Sequence, residues 1–439
     1  MLFMPAVLIA APQTPATAPQ QAQAPAGASG QTFNLESALR RAKQENALLK
    51  AAVARVEERR SLITTARADA LPQLTALGDY TRTRDVSILN SPFGDTLGAN
   101  AANFIGARNI YTTQLSLNQP LFAWGKLGGA VDVARVGEAE AQAAFTTAEL
   151  DILHGVAKAY LGVLNAKAQL DVVQVRKDTA LRLLEDIKNK LEAQSATQLD
   201  LLRAQAELQG VEPEALQAEA AFQHAIESLN GQLGLDPRTP LSLEPLPADV
   251  PQGISASATR SELQQLDEQE RALRINDRII TSDLRPRLDF NASYGWMAKR
   301  TDLLFQDPYD TWRVSLTLRV PIFDGMRTSG RRAQNRAQLE QVRQTRIDTE
   351  RQVQVQQQSA QREMTKAKAL LEAATKAHDA GLEALRVSRD SFQEGLISSL
   401  DLLQAERQER QLESQRIQAE LGVWSALFDL RRASGLAPL

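Results

Sequence analysis

The sequence predicts an α+β membrane protein: long antiparallel α-helical hairpins of coiled-coil type joined to four transmembrane β-strands per chain, which complete a twelve-stranded β-barrel in a trimer. Three observations predict it. Apolar residues hold a heptad seam along a helix roughly 100 Å long at 1.5 Å per residue, more than an ordinary globular domain uses. Segments with one apolar and one polar face come in pairs beside prolines. The arrangement also occurs twice. Pro72 in ADALPQL and Pro286 in SDLRPRL lie 214 residues apart, and Pro120 in LSLNQPLF and Pro321 in LTLRVPIF lie 201 apart. TQLDLLRAQAE (197–207) returns as SSLDLLQAERQ (398–408) at the same spacing of 201, and Gly234 lies over Gly435.

Composition removes several function classes. With 50 Lys+Arg against 53 Asp+Glu the chain carries a formal charge of −3, which offers nucleic acid no general attraction. An apolar fraction of 43% with only 5% aromatics favours long helices over compact sheets. The absence of Cys excludes disulfides, thiolate metal sites and Cys nucleophiles. His154, His224 and His378 do not cluster and have no second His at i+4, so solvated helix positions account for them and neither a metal nor a cofactor is expected. No Walker loop, no G-x-G-x-x-G after a strand, no H-E-x-x-H and no Ser-His-Asp arrangement is recognisable, so no enzyme is expected.

Along the chain, residues 1–31 read as a signal sequence, the apolar run LFMPAVLIAA (2–11), followed by a disordered lead-in rich in Ala, Pro, Gln and Thr. No other stretch reaches the roughly 18 to 20 apolar residues of a membrane helix, so any crossing must use strands. The first structural repeat is 32–236. It opens with a helix over Leu35–Ala70, then strands 74–80 and 113–118, in which Leu77 breaks the alternation. The long helix follows from about Trp124 to Leu191, its seam running from Phe145 to Leu191. A helix from Gln198 to about Asn230 returns, and Pro213 should break or bend it near Gly210 by removing a hydrogen bond and clashing with the preceding turn. The two shorter helices, about 36 and 33 residues, together match the long one beside them, so they should stack end to end.

Pro237, Pro240, Pro245, Pro247 and Pro251 mark a linker over 237–260. The second repeat, 261–439, has a helix to about 284, strands 288–296 and 313–320, a long and more polar helix over about 326–392, and a last helix over about 400–433. In RVSLTLRV, Val314, Leu316, Leu318 and Val320 share one face and Arg313, Ser315, Thr317 and Arg319 the other. Its partner places Leu288, Phe290, Ala292, Tyr294 and Trp296 opposite Asp289, Asn291 and Ser293. Alternation alone somewhat favours a half-buried antiparallel sheet in a soluble domain. Trp124, Trp296, Trp312, Tyr80, Tyr111, Tyr294 and Tyr309 lie on or beside the strands, where an outer-membrane barrel carries its interfacial girdles. Four strands cannot close a barrel and lipid forbids open strand edges, so the chain must oligomerise; two copies give a filled pore, and three give a lumen. The trimer is favoured.

A repeat of helix, two strands, very long helix, turn and helix, with prolines at strand ends (Pro72, Pro120, Pro286, Pro321) and the turn EGLISSLDLLQAE (394–406), resembles the TolC-type outer-membrane factors over about 33–439. The resemblance implies a homotrimer whose twelve-stranded barrel, set in outer-membrane lipid of a Gram-negative bacterium, continues as a coiled-coil α-barrel through the periplasm. It implies an adaptor (membrane fusion) protein and an inner-membrane pump as partners. It also implies that the hairpin turns form the periplasmic tip, with Gln194, Ser195, Thr197, Gly395, Leu396 and Ser398 meeting the adaptor. Asp200, Asp401 and Gln404 would then lie at the tunnel entrance. Gln194 replaces the family's turn glycine, and Gln404 stands where a second acidic residue is frequent. Both aspartates also suit the first turn of a helix simply through its dipole.

The expected function is a passive duct that exports solutes, whether drugs, metals or proteins, for a tripartite efflux or type I secretion system. The alternative is a periplasmic adaptor or soluble coiled-coil scaffold. Duplication together with paired two-faced strands favours the duct.

Overall fold

The computed structural model describes residues 31–83, 108–247, 259–394, 396–397 and 399–439. Residues 1–30 of the expected signal sequence and lead-in, 248–258 of the expected linker, and Gly395 and Ser398 of the expected tip lie outside the described residues.

The order of elements is β1 (Gln31–Phe33), α1 (Leu35–Glu45), α2 (Ala47–Ala68), β2 (Gln73–Thr83), β3 (Arg108–Phe122), α3 (Lys126–Glu192) and α4 (Gln198–Leu233), then β4 (Leu241–Leu243), α5 (Ser261–Ser282), β5 (Arg287–Ala298), β6 (Asp310–Arg319), α6 (Arg327–Gln393) and α7 (Ser399–Ala433). The α3 and α6 helices each run 67 residues, about 100 Å. They pack antiparallel to their shorter partners: α4 and α7 flank them toward the hairpin turns, α2 and α5 toward the sheet. No described helix is long and apolar enough to cross a membrane.

The β2, β3, β5 and β6 strands form one antiparallel sheet in the order β2-β3-β5-β6. Pro72 and Pro286 stand just before β2 and β5, and Pro321 just after β6. Pro120, expected at a strand end, is instead inside β3, which continues to Phe122 past a register shift between Pro120 and Phe122. A bulge at that point tolerates a residue without an N–H. Each long helix begins just after two successive left-handed residues, again at the 201 spacing: Trp124 and Gly125 (φ 50° and 78°) before α3, Gly325 and Met326 (φ 66° and 64°) before α6.

The core lies midway along the helices, where Phe33, Leu39, Val156, Tyr160, Leu229, Leu233, Trp424 and Phe428 pack together. Parallel strands β1 and β4, which the sequence had not signalled, pair Phe33 with Leu243 beside it. Tyr160 Oη reaches Glu244 O at 2.6 Å and Phe33 O at 3.1 Å, and burial pushes its pKa up to about 12.

Three expectations are corrected here. The helix expected over Leu35–Ala70 is two helices, because Asn46 leaves helical geometry (ψ 124°) to cap α2, accepting from the Leu48 and Leu49 amides. Its Nδ2 donates to Gln232 O at 2.9 Å, and Gly234 (φ 69°) sits against Glu45, so α1, α2 and the end of α4 meet at one joint. Pro213 does not break α4, which is continuous through it; Val211 and Ala215 on either side are buried, and their packing outweighs one lost hydrogen bond. His154 and His378 are not simply solvated. His154 Nε2 lies 2.7 Å from Asp429 Oδ1, and His378 is tucked beside the buried Glu409.

The second joint stacks α7 on α5. Arg260, only 6% exposed, donates to Ala433 O at 2.9 Å and pairs with Glu262 at 2.9 Å. Arg432 bridges Glu262 (2.8 Å) and Asp151 of α3 (2.6 Å). Gly234 and Gly435 both adopt positive φ, and Leu235 N→Asn230 O (2.9 Å) and Leu436 N→Arg431 O (2.8 Å) close equivalent helix ends.

Candidate functional site

The register converts four separate strands into two continuous surfaces. On one face Leu74, Leu117, Ala292 and Val314 form a row, and Ala76, Leu115, Tyr294 and Trp312 form the next. Leu288 with Leu318 and Phe290 with Leu316 extend it toward the helices. These side chains are open to the surroundings: Leu74, Leu316 and Leu318 are each more than 60% exposed. The other face reads Thr75, Ser116, Ser293, Arg313 and then Gln73, Asn118, Asn291, Ser315, with Leu77 as the exception already visible in the sequence. A sheet with an uncovered apolar face and an uncovered polar face is a wall between lipid and water. Gly295 belongs to this construction, since a Cβ there would lie 2.1 Å from Thr113 O.

Aromatic side chains gather at both ends of the wall. Tyr80 stacks on Tyr111, and Trp296 contacts Tyr294 and Phe305, at the loop end. Phe122 packs on Trp124 with the Arg285 guanidinium 5.0 Å from the Trp124 ring centre, and Phe323 is exposed, at the helix end. Strand β6 runs ten residues, about 33 Å, which rises about 23 Å at a tilt near 45°, close to the apolar band of a barrel.

At the opposite end of the molecule, Gln194 takes the left-handed conformation (φ 57°), which a glycine adopts without strain. Ser195 is committed to the turn: its amide and hydroxyl both donate to Lys190 O, at 2.8 and 3.0 Å. Leu396 N→Ser391 O at 2.9 Å is the equivalent bond in the second turn, and the Leu396 side chain is 72% exposed. Thr197 caps α4 in a reciprocal capping box with Asp200, whose carboxylate accepts from Thr197 N (3.0 Å) and Oγ1 (2.6 Å). Those bonds hold the Asp200 pKa below the ordinary carboxylate value. Asp401 lies in the first turn of α7, exposed, with Gln404 exposed one turn on. The turns are thus described for Gln194, Ser195, Thr197, Asp200, Leu396, Asp401 and Gln404, while Gly395 and Ser398 lie outside the described residues.

Between the two hairpins runs a groove of about 710 Å³ lined by Val172, Arg176, Leu183 and Arg410 among others. Glu207 of α4 ties them together, 3.3 Å from Arg407 of α7 and 3.8 Å from Arg176 of α3. Nothing in the sequence pairs these residues, because they meet only after both hairpins have formed.

Family comparison decides what this wall and tip belong to. The family model described as outer membrane efflux protein matches residues 38–235 and 255–436. The chain belongs to the outer membrane efflux protein family. Among relatives of this efflux protein, the pyoverdine export outer membrane protein OpmQ of Pseudomonas aeruginosa is 25% identical over 410 residues, covering 90% of this chain and 84% of OpmQ. The alkaline protease secretion protein AprF of the same species is 27% identical over 310 residues, covering 68% and 64%. The solved Campylobacter jejuni CmeC outer membrane channel superposes with a TM-score of 0.80 at 14% identity, covering 91% of this chain and 85% of CmeC. VceC from Vibrio cholerae gives 0.73 at 20%, covering 92% and 97%. The efflux protein is therefore an outer-membrane channel component of export machinery and not an enzyme, its helices forming the periplasmic tunnel. The adaptor or scaffold alternative is set aside.

Proposed function

We propose that three copies of this chain close into a twelve-stranded barrel, apolar face to lipid and polar face to a water-filled lumen, continuous with a helical tunnel whose hairpin turns receive an adaptor and an inner-membrane pump. The division at the proline-rich linker makes each chain supply two wall segments, 32–236 and 261–439, so the tunnel repeats six-fold in outline. The observation that carries this reading is the sheet with two unpaired edges. Among the described residues strands β2 and β6 each have one neighbour, and in lipid their remaining N–H and C=O groups must pair with another copy. Pump and adaptor, rather than a pocket in this chain, would select the cargo. Relatives named for pyoverdine export and protease secretion support export of either a small molecule or a protein.

The chain has no Cys, so cysteine pairs scanned along β2 and β6 (Thr75→Cys with Ser315→Cys or Thr317→Cys) report edge pairing cleanly. Oxidation in the membrane should give a ladder ending at trimer. Crosslinking that stops at dimer, or none at any register, overturns the reading. At the tip, Leu396→Arg should leave trimers heat-modifiable on gels but abolish export; full export from such trimers would remove the tip from the adaptor contact.

A further inference from the structure

The polar face of the sheet is not evenly charged. Followed upward from the helix end, β5 and β6 place Arg287 opposite Arg319, Asp289 opposite Thr317, Asn291 opposite Ser315 and Ser293 opposite Arg313. The only carboxylate in this stretch, Asp289, is occupied by Arg287 at 2.8 Å. Among the described residues no ion pair satisfies Arg313 or Arg319. At the same level β2 and β3 present Gln73, Thr75, Ser116 and Asn118, which are uncharged. Asp79, the remaining acidic residue of this face among the described residues, lies toward the loop end and accepts from the Thr81 hydroxyl at 2.6 Å. Like charges directly opposite on paired strands are unfavourable for the sheet alone, so the Arg287–Arg319 pairing is explained better by what passes over it than by folding.

We propose that Arg287, Arg313 and Arg319 form an anion-attracting collar in the barrel lumen, running from Arg287 and Arg319 at its helix-side end to Arg313 about 20 Å farther toward the loop end, which takes solutes bearing carboxylate, sulfate or phosphate groups. The proposal rests on the duct reading above. Three guanidiniums less one carboxylate leave two net positive charges per chain, repeated three-fold around the lumen. Arg313 and Arg319 are separated by roughly 20 Å along the strand, and a low-dielectric lipid wall focuses the field of such a stretch into the water inside it. The guanidinium's planar fork binds oxyanions in two-point geometry, a contact a lysine would not reproduce.

The test uses the purified full-length protein in planar lipid bilayers. The long tunnel cannot cross lipid, so the tip stays on the side of addition and the loop end faces the opposite chamber. Inorganic tripolyphosphate added to that opposite chamber should block the current in a voltage-dependent manner. Arg313→Gln and Arg319→Gln should each weaken the block, and together by about tenfold. Conducting wild-type trimers that tripolyphosphate does not block overturn the collar, as does undiminished block in either single variant. A wild-type protein that forms no conducting trimer overturns the duct reading instead, and the two failures are thereby distinguished.

Discussion

At the scale of single residues the wall's two faces differ by one step in sequence, and that step decides what a substitution does. Leu316 and Thr317 are neighbours, yet Leu316 lies in the apolar row with Phe290 and Thr317 opposite Asp289 on the polar side. Leu316→Arg should impair barrel assembly by roughly 2–4 kcal/mol if it falls near mid-bilayer, read as loss of heat-resistant trimer. Thr317→Arg should assemble normally and change single-channel conductance; equal losses from both would reverse the face assignment. This much was legible in the sequence, because alternation over ten residues encodes it locally. What was not legible is contact over distance. His154 meets Asp429 across 275 residues, and Asp429 is held as the carboxylate, its pKa lowered despite burial by His154 and Lys158. An isolated histidine with no i+4 partner gives no hint of that.

At the scale of elements, turns and joints set the tolerance of the long helices. Gln194 bears the cost of a left-handed backbone that a glycine would avoid. Gln194→Gly should therefore stabilise the first hairpin by roughly 0.5–1 kcal/mol net of the entropy glycine adds to the unfolded chain, visible as a raised melting midpoint; a lowered midpoint would mean that the Gln side chain itself holds the turn. The α5–α7 joint should respond to pH. Burial alone would raise the Glu262 pKa, but Arg260 and Arg432 outweigh it and hold the value at about 2. A carboxylate depressed below its unfolded value near 4.3 stabilises the fold above that value and loses its contribution as pH falls toward 2. Protection factors of the Arg432–Gly435 amides, exchange rates corrected for the intrinsic slowing in acid, should fall between pH 5 and 3, and Glu262→Gln should show the low protection already at pH 7. Protection that stays unchanged down to pH 3 in the native chain would contradict this linkage. Element lengths followed from seams and prolines, whereas the break at Asn46 did not. An Asn inside a helical run reads as ordinary until Gln232, 186 residues away, supplies the carbonyl its side chain caps against.

At the scale of the molecule the duplication is legible throughout, from the 201-residue spacing of Trp124–Gly125 and Gly325–Met326 to the matched left-handed glycines at 234 and 435. Both helix joints fall at one height. Lys43 of α1 reaches Glu149 and Arg432 of α7 reaches Asp151, while a Cβ on Gly155 would meet Gln232, all within about 9 Å along α3. Among the described residues only α3 and α6 pass this level uninterrupted. The molecule thus has a waist at which half of its rods are cut. A twist applied at the tip would therefore be carried past this level by the continuous rods alone, and across the cuts only by the few bonds at the abutting ends, Asn46 to Gln232 and Arg260 to Ala433.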